Sequence, residues 1–218
     1  MGNAEGKVVN LSVTYDDIKN KSIDLKQFTG LNALSVDFCG NTIYKDFFNG
    51  LENISYLCIK NAKKIHSQAF VGLTKLVTLI IEYSHIPPCF PLQFPCLKEL
   101  SINNCKLKEI PRMALPDLKT LSLANNKITS VDKEHIFRDV PKLTKLYLNS
   151  NRIYEIGYTV FKNTPDLQVL GLNDNYLDEV PVAAFYCSKL EELYCQENMI
   201  SDFHVMKEFC EKLSVFKY

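Results

Sequence analysis

An eleven-residue phrase, L-x-x-L-x-L-x-x-N-x-I, recurs along the 218-residue chain and constrains its fold more than any other feature. Clear copies begin at Leu97, Leu118, Leu143, Leu167 and Leu190, and weaker copies begin at Val8, Leu31, Ile54 and Leu76. A truncated copy, LSVFKY, closes the sequence. The fourth positions of the ten copies are Leu11, Leu34, Leu57, Leu79, Leu100, Leu121, Leu146, Leu170, Leu193 and Phe216, spaced 21 to 25 residues apart. Ten copies in register leave no room for a second domain.

Each copy predicts one short strand, because the apolar residues at its fourth and sixth positions alternate as on a strand with one buried face. A unit of this size cannot bury its own apolar face, so stacked units must share one continuous core. The sequence therefore predicts an α/β solenoid of about ten coils. We expect residues 1–7 to form a tail, residues 8–200 to form the repeats, and residues 201–218 to form a helical cap followed by a last strand.

These repeats resemble the leucine-rich repeat family over nearly the whole chain. The phrase F-x-x-x-P-x-L-x-x-L-x-L-x-x-N, at Phe161 to Asn175 and at Phe137 to Asn151, looks like the typical extracellular class of Toll-like, Slit-like and secreted insect immune proteins. The resemblance implies a horseshoe with a parallel concave β-sheet and a convex side of loops and short helices. It also implies a non-catalytic module that binds another secreted protein, in innate immunity.

Two further sets of repeat positions predict internal structure. An asparagine follows the strand at Asn126, Asn151, Asn175 and Asn198, where a buried amide can satisfy backbone groups that leave the sheet. Earlier copies carry Asp16, Cys39, Ala62, Ser84 and Cys105 there, which predicts a less regular amino-terminal half. Aromatic residues ahead of most strands predict a buried spine on the convex side, formed by Phe28, Phe48, Phe70, Phe94, Phe137, Phe161, Phe185 and Phe209.

Cysteines and sequons favour an extracellular location over the cytoplasm. Cys187 and Cys210 each lie three residues before the first leucine of adjacent copies, about one strand spacing of ~5 Å apart, which is within reach of a disulfide. Cys89 and Cys96 bracket FPLQFP and predict a second bridge, whereas Cys39, Cys105 and Cys195 are expected to pack in the core. Three N-x-[ST] sequons, at Asn10, Asn20 and Asn53, mark candidate glycosylation sites. The alternative is a cytoplasmic scaffold or enzyme regulator with reduced cysteines.

Composition and motifs argue against several classes of function. Twenty-five basic and 25 acidic residues give a net charge of zero, so no nucleic acid partner is expected. The sequence contains no run of 18 apolar residues that would predict a membrane span. Its four histidines fall at unlike repeat positions and no phosphate-binding or nucleophile motif is present, so we expect neither catalysis nor a metal or other cofactor.

The predicted binding surface is the concave face, where the residues that flank the strand leucines point outward. In the amino-terminal half these include Tyr15, Phe38, Tyr56, Ile80 and Tyr83, an aromatic group typical of protein interfaces. An alternative is that some of these rings cover the open end of the solenoid. In the carboxy-terminal half they include Tyr147, Asp174, Tyr194 and Glu197, which suit a basic or amide-rich protein ligand. Cys58 is also expected to be exposed on this face.

Overall fold

The computed structural model describes residues 9–20, 25–27, 30–87, 92–201, 211 and 213–217. Its main element is a parallel ten-stranded sheet with one strand from each repeat. In spatial order the strands are β1 (Val9–Thr14), β2 (Leu31–Asp37), β4 (Tyr56–Lys60), β6 (Thr78–Glu82), β8 (Glu99–Asn103), β10 (Thr120–Ser122), β12 (Lys145–Tyr147), β14 (Val169–Gly171), β15 (Glu192–Tyr194) and β16 (Val215–Lys217). We number the coils 1 to 10 by these strands. The α/β solenoid predicted from the repeats is confirmed.

The register of the sheet follows the repeat phrase. Leu11 pairs with Leu34, and the pairing continues through each fourth-position residue to Leu193 and Phe216. Most of these leucines are fully buried. A slip of the strand pairing by one residue would turn the apolar side chains of a strand toward solvent, so their burial fixes the register.

Short elements complete the other side of each coil. Three two-stranded pairs are formed by β3 (Thr42–Ile43) with β5 (Lys64–Ile65), β7 (Leu92–Gln93) with β9 (Met113–Ala114), and β11 (Ser130–Val131) with β13 (Glu155–Ile156). Two 3₁₀ turns cover Leu25–Gln27 and Val182–Tyr186. The predicted cap helix lies in a segment of which residues 202–210 and 212 are outside the described residues, whereas the last strand is confirmed as β16.

Coil 1 leaves its strand in a different way from the others. A five-residue helix, α1 (Tyr15–Lys19), follows β1 directly. Thr14 caps it, since Asp17 N–H donates to Thr14 Oγ1 at 3.3 Å and Thr14 N–H donates to Asp17 Oδ2 at 2.8 Å. The backbone hydrogen bond from Thr14 lowers the pKa of Asp17. Asp16 is therefore an exposed helix residue and not a buried ladder position, which agrees with the less regular amino-terminal half predicted from the sequence.

The predicted asparagine ladder is confirmed in coils 6 to 9. Asn151 Nδ2 donates to the carbonyl oxygens of Leu123 and Leu148, both at 3.0 Å, and Asn151 Oδ1 accepts from Ile128 N–H at 3.1 Å. Each amide thus joins its own coil to the preceding one. Equivalent bonds are made by Asn126, Asn175 and Asn198.

Other polar groups continue this ladder toward the amino terminus. The buried Cys105 thiol donates to Ile81 O at 3.5 Å and to Asn103 O at 3.2 Å, and Ser84 Oγ accepts from Ala62 N–H at 2.9 Å. Burial raises the pKa of the Cys105 thiol to about 11, so it stays protonated. Cys39 breaks the series, because it is exposed with a φ of 49° and its N–H donates to Asp37 Oδ1 at 2.8 Å. Its predicted core position is wrong.

The convex aromatic spine is confirmed where it is described, with one exception. Phe48 and Phe70 stack at 5.6 Å between ring centroids, and Phe137 and Phe161 stack at 5.7 Å. Phe94 is buried as predicted, and Phe28 and Phe209 lie outside the described residues. Phe185 is 52% exposed, so its prediction is wrong. It lies one residue past the spine position, which Ala184 fills in coil 9.

Candidate functional site

The concave face is the surface that the ten parallel strands present away from the core. The register places Tyr56 beside Thr78, Cys58 beside Ile80, and Lys60 beside Glu82. Residues separated by one coil are therefore about 5 Å apart and form continuous rows across the sheet. Tyr56 and Ile80 are half-buried and Tyr83 is 61% exposed, and we call these three residues the amino-terminal patch.

Phe38 is not part of this surface, and its predicted exposure is wrong. Its side chain is fully buried, with ring centroids 5.7 Å from Tyr15 and 5.2 Å from Phe47. The reason lies in the turn of coil 2, where Cys39, one residue later, adopts the left-handed conformation that Asn61 and Tyr83 adopt in the next two coils. This shift turns Phe38 inward.

Tyr15 shares the environment of Phe38. Its half-buried ring lies 6.2 Å from Phe47 in a stacked arrangement, and rings continue in contact through Phe48 to Phe70. The alternative stated from the sequence, that some rings cover the end of the solenoid, therefore describes Tyr15 and Phe38. Both rings pack between coils 1 and 2, and Phe38, which is fully buried, is removed from the candidate contact residues. Tyr15 stays a predicted contact residue.

Cys58 is also less accessible than predicted. Only 5% of it is exposed, because Ser35 and Ile80 flank it in the neighbouring strands. Burial raises the pKa of the Cys58 thiol. The expectation of an exposed thiol on the concave face is wrong, and Cys58 instead forms part of the floor beneath the amino-terminal patch.

Tyr83 has an unusual backbone. Its φ is 51°, in the left-handed region that asparagine and aspartate tolerate better than aromatic residues do. The stacked coils place Asn61, Asn104, Asn125, Ser150, Asp174 and Glu197 at this position. Among the described residues it is the one aromatic side chain with positive φ, so coil 4 holds an exposed ring where a polar residue would fit with less strain.

A single ion pair lies beside the amino-terminal patch. Lys60 Nζ is 3.1 Å from Glu82 Oε2, and both side chains are partly exposed. The hydrogen bond from Lys60 to Glu82 raises the pKa of Lys60. The opposite charges of Lys60 and Glu82 cancel each other, so the amino-terminal patch is mainly apolar and aromatic.

Two tyrosines flank a glycine in the carboxy-terminal half. Tyr147, Gly171 and Tyr194 are adjacent in one row of the sheet. A Cβ atom added to Gly171 would lie 3.2 Å from Tyr147 Cδ1, so the ring of Tyr147 leans over the space that glycine leaves. Sequence reasoning identified both tyrosines and missed Gly171, although aligning the copies reveals a residue without a side chain between two rings.

The surroundings of Tyr194 are acidic and accept hydrogen bonds. Tyr194 Oη donates to Glu192 Oε2 at 2.7 Å, which raises the pKa of Tyr194. Lys217 Nζ lies 5.6 Å from the centroid of the Tyr194 ring, within cation–π distance. Gln196 Oε1 is buried without a hydrogen-bond partner among the described residues. This surface therefore already accommodates one cation, the ammonium group of Lys217.

Asp174 and Glu197 extend the acidic surface. Both are exposed, and their coils are joined where Asp174 N–H donates to Gln196 O at 2.9 Å. Neighbouring carboxylates repel each other, and no ion pair to either is found within the described ranges. We call Tyr147, Gly171, Asp174, Tyr194 and Glu197 the carboxy-terminal patch.

The predicted disulfides and glycosylation sites stay predictions. Cys89 and Cys210 lie outside the described residues, while Cys96 is exposed and Cys187 is buried, each with a free thiol. Burial raises the pKa of the Cys187 thiol to about 12. All three sequon asparagines are exposed, and Asn53 Oδ1 accepts from Lys75 Nζ at 2.7 Å.

Among the described residues, no group of three or more His, Cys, Asp or Glu side chains could hold a metal ion. Nor does any helix in those ranges combine the length and apolar character needed to cross a membrane.

Stacked strands, a buried amide ladder and an open parallel sheet define a repeat solenoid of the leucine-rich class. Residues 95–153 and 141–200 match the leucine rich repeat model, and residues 11–120 match the BspA type leucine rich repeat region. The chain belongs to the leucine-rich repeat family.

Similar proteins support this assignment. Osteomodulin from Bos taurus is 30% identical over 209 residues, and osteomodulin from Rattus norvegicus is 28% identical over 215 residues. Each match covers 91% of this chain and 47% of the relative, so the chain spans about half the length of these curated relatives.

Solved structures share the fold at lower identity. The TLR13–ssRNA13 complex gives a TM-score of 0.71 at 24% identity, covering 86% of this chain and 28% of that one. The Toll–Spätzle complex from Drosophila gives 0.71 at 18%, covering 88% and 26%. An internalin from Listeria monocytogenes gives 0.63 at 18%, covering 88% and 62%.

Proposed function

We propose that this chain is a non-catalytic module that binds a protein ligand on its concave face, outside the cell and in innate immunity. The likeness to Toll supports the setting, since that structure is described with Spätzle as a molecular hub in development and innate immunity. The two patches supply the contact residues. The ten strands form one continuous sheet, so a single ligand that lies along the concave face would contact both patches at once.

Tyr83 carries the proposal. It is 61% exposed and holds a left-handed backbone where equivalent coils have polar residues. Local strain of this kind persists where function benefits from it, and exposed tyrosines are enriched among the residues that dominate binding energy. Ile80 and Tyr56 lie on the same face and enlarge the apolar area around it.

The carboxy-terminal patch would add specificity for basic side chains. Lys217 already lies against the Tyr194 ring, and Asp174 and Glu197 have no cationic partner in the described part of the chain. An arginine or lysine of the ligand would relieve the repulsion between these carboxylates. The two ends of the concave face thus favour different parts of one ligand.

Replacing Tyr83 with asparagine separates binding from stability. We expect Tyr83→Asn to raise the free energy of unfolding by about 1 kcal/mol, because asparagine tolerates positive φ better, and to weaken ligand binding at least about tenfold. Binding would be measured by biosensor against a panel of secreted proteins, and stability by chemical denaturation. Tyr158→Asn is the matched control, because Tyr158 is 70% exposed and lies outside the sheet. Equal losses for both variants would contradict the proposal.

The extracellular setting has its own test. We expect chain recovered from a secretory host to carry glycan on Asn20 or Asn53 and to contain a Cys187–Cys210 bridge. Intact mass before and after reduction, deglycosylation and peptide mapping would detect both modifications. Unglycosylated protein with eight free thiols would contradict this setting and favour a cytoplasmic scaffold.

A further inference from the structure

A row of basic side chains follows the ladder position in five successive coils. The residue immediately after the ladder residue is Lys63, His85, Lys106, Lys127 and Arg152 in coils 3 to 7. All five are exposed, and we call them the basic row. Coils 8 and 9 have Tyr176 and Met199 at the same place, so the row ends at Arg152. The basic row lies beyond the concave strands and contains none of the residues of the two patches.

Backbone hydrogen bonds join most of these positions to the preceding coil. His85 N–H donates to Ala62 O at 2.9 Å, Lys127 N–H to Leu107 O at 2.7 Å, and Arg152 N–H to Ile128 O at 2.9 Å. Asn126 Oδ1 accepts from Cys105 and Leu107 N–H groups, which bracket Lys106. With roughly 5 Å between coils, the row is about 20 Å long.

Among the described residues, no side chain of the basic row takes part in an ion pair. The ion pairs found among the described residues use other lysines, namely Lys60, Lys133, Lys142, Lys162 and Lys189. Glu109, which is close in sequence to Lys106, is bound by Lys133 Nζ at 2.8 Å. The zero net charge of the whole chain, counted with histidine neutral, therefore conceals four formal positive charges that share one repeat position. Aligning the copies at the residue after the ladder position would have revealed it.

We propose that the basic row binds a sulfated polysaccharide. Five exposed positions, one in each successive coil, suit an extended polymer with regularly spaced anionic groups. Single-stranded nucleic acid binding instead combines basic residues with interleaved aromatic side chains, and an aromatic residue enters this row only after its last cation, at Tyr176. Choosing a sulfated glycan as the ligand also rests on the extracellular setting proposed above. The basic row is a feature of the fold and does not depend on that setting.

Heparin provides the test probe. Binding of the wild-type chain to immobilised heparin would be compared with that of the Lys106→Glu/Lys127→Glu/Arg152→Glu variant. We expect at least about tenfold weaker binding at 0.15 M salt, and a slope of log affinity against log salt that falls by about three. The matched control is Lys98→Glu/Lys119→Glu/Lys145→Glu. This control changes the net charge by the same amount as the basic-row variant, at exposed positions outside the row and near Glu99 and Asp117. It should retain most of the heparin binding.

Three results would overturn the assignment. Equal losses in both triple variants would show binding to net charge alone, and a loss confined to the control would place the site near Lys98. Tighter, row-dependent binding to single-stranded RNA than to heparin would assign the row to nucleic acid. Circular dichroism and thermal melting establish that each variant is folded. Tyr83→Asn should leave heparin binding unchanged, so failure of the protein-ligand proposal can be distinguished from failure of this one.

Discussion

Replacing Phe38 with alanine is expected to lower the free energy of unfolding by about 3 to 5 kcal/mol, the usual cost of removing a fully buried phenylalanine. The Phe38 ring contacts those of Tyr15 and Phe47, so its loss leaves a cavity between coils 1 and 2. Because coils of a solenoid contact mainly their neighbours, we expect loss of amide protection against hydrogen exchange in β1 and β2 first.

The control for Phe38 is Tyr83→Ala. Tyr83 is 61% exposed. Apart from any change in backbone strain, Tyr83→Ala should change the free energy of unfolding by no more than about 0.5 kcal/mol. Chemical denaturation of both variants measures the difference. Similar stabilities for Phe38→Ala and Tyr83→Ala would contradict the inward orientation of Phe38 and return it to the concave surface.

Replacing Asn151 with alanine is expected to cost about 2 to 3 kcal/mol. The substitution removes three buried hydrogen bonds and leaves the N–H of Ile128 without its acceptor. The carbonyl oxygens of Leu123 and Leu148 lose one donor each but keep a second ladder amide as donor. One unsatisfied buried group costs about 1 to 3 kcal/mol, and the two lost bonds to the carbonyl oxygens add to it.

Asn149→Ala is the matched control for the ladder. Asn149 is half-buried on the concave side of the same coil, and its side chain takes no part in the ladder. Its replacement should change the free energy of unfolding by less than about 0.5 kcal/mol. Equal effects of the two substitutions in urea denaturation would show that Asn151 does not join coils 6 and 7.

The repeat phrase was sufficient to predict the fold and its register. Leu121 pairs with Leu100 and Leu146 because the period and the need to bury one face leave a single alignment. The role of Asn151 also followed from the sequence, since an amide can donate and accept where the chain leaves the strand.

Side-chain directions at the irregular turns could not be read from the same phrase. Phe38 and Cys39 exchange the expected inside and outside positions because the left-handed residue of coil 2 falls one place later. Phe185 misses the convex spine by one residue, and Ala184 is buried instead. In both cases a shift of one residue reverses exposure, and hydrophobicity alone does not specify which aromatic residue turns inward.

The concave binding surface could be predicted only as a set of positions. Tyr83, Tyr147, Asp174, Tyr194 and Glu197 flank strand leucines, whereas the strain at Tyr83 and the lean of the Tyr147 ring over Gly171 required coordinates. The basic row was missed because the net charge sums over every surface of the chain. Stacking of the coils places one repeat position along one edge, so basic residues gather there without changing the net charge.

Site-specific photo-crosslinking tests the central claim most directly. A photoreactive phenylalanine analogue would replace Tyr83, Tyr194 or Tyr158 in turn, and each chain would be irradiated in a mixture of secreted proteins. Binding on the concave face predicts that one protein crosslinks to positions 83 and 194, is displaced by excess unmodified chain, and is absent from the adducts at position 158. Equal adducts at all three positions, or no saturable adduct at positions 83 and 194, would contradict it.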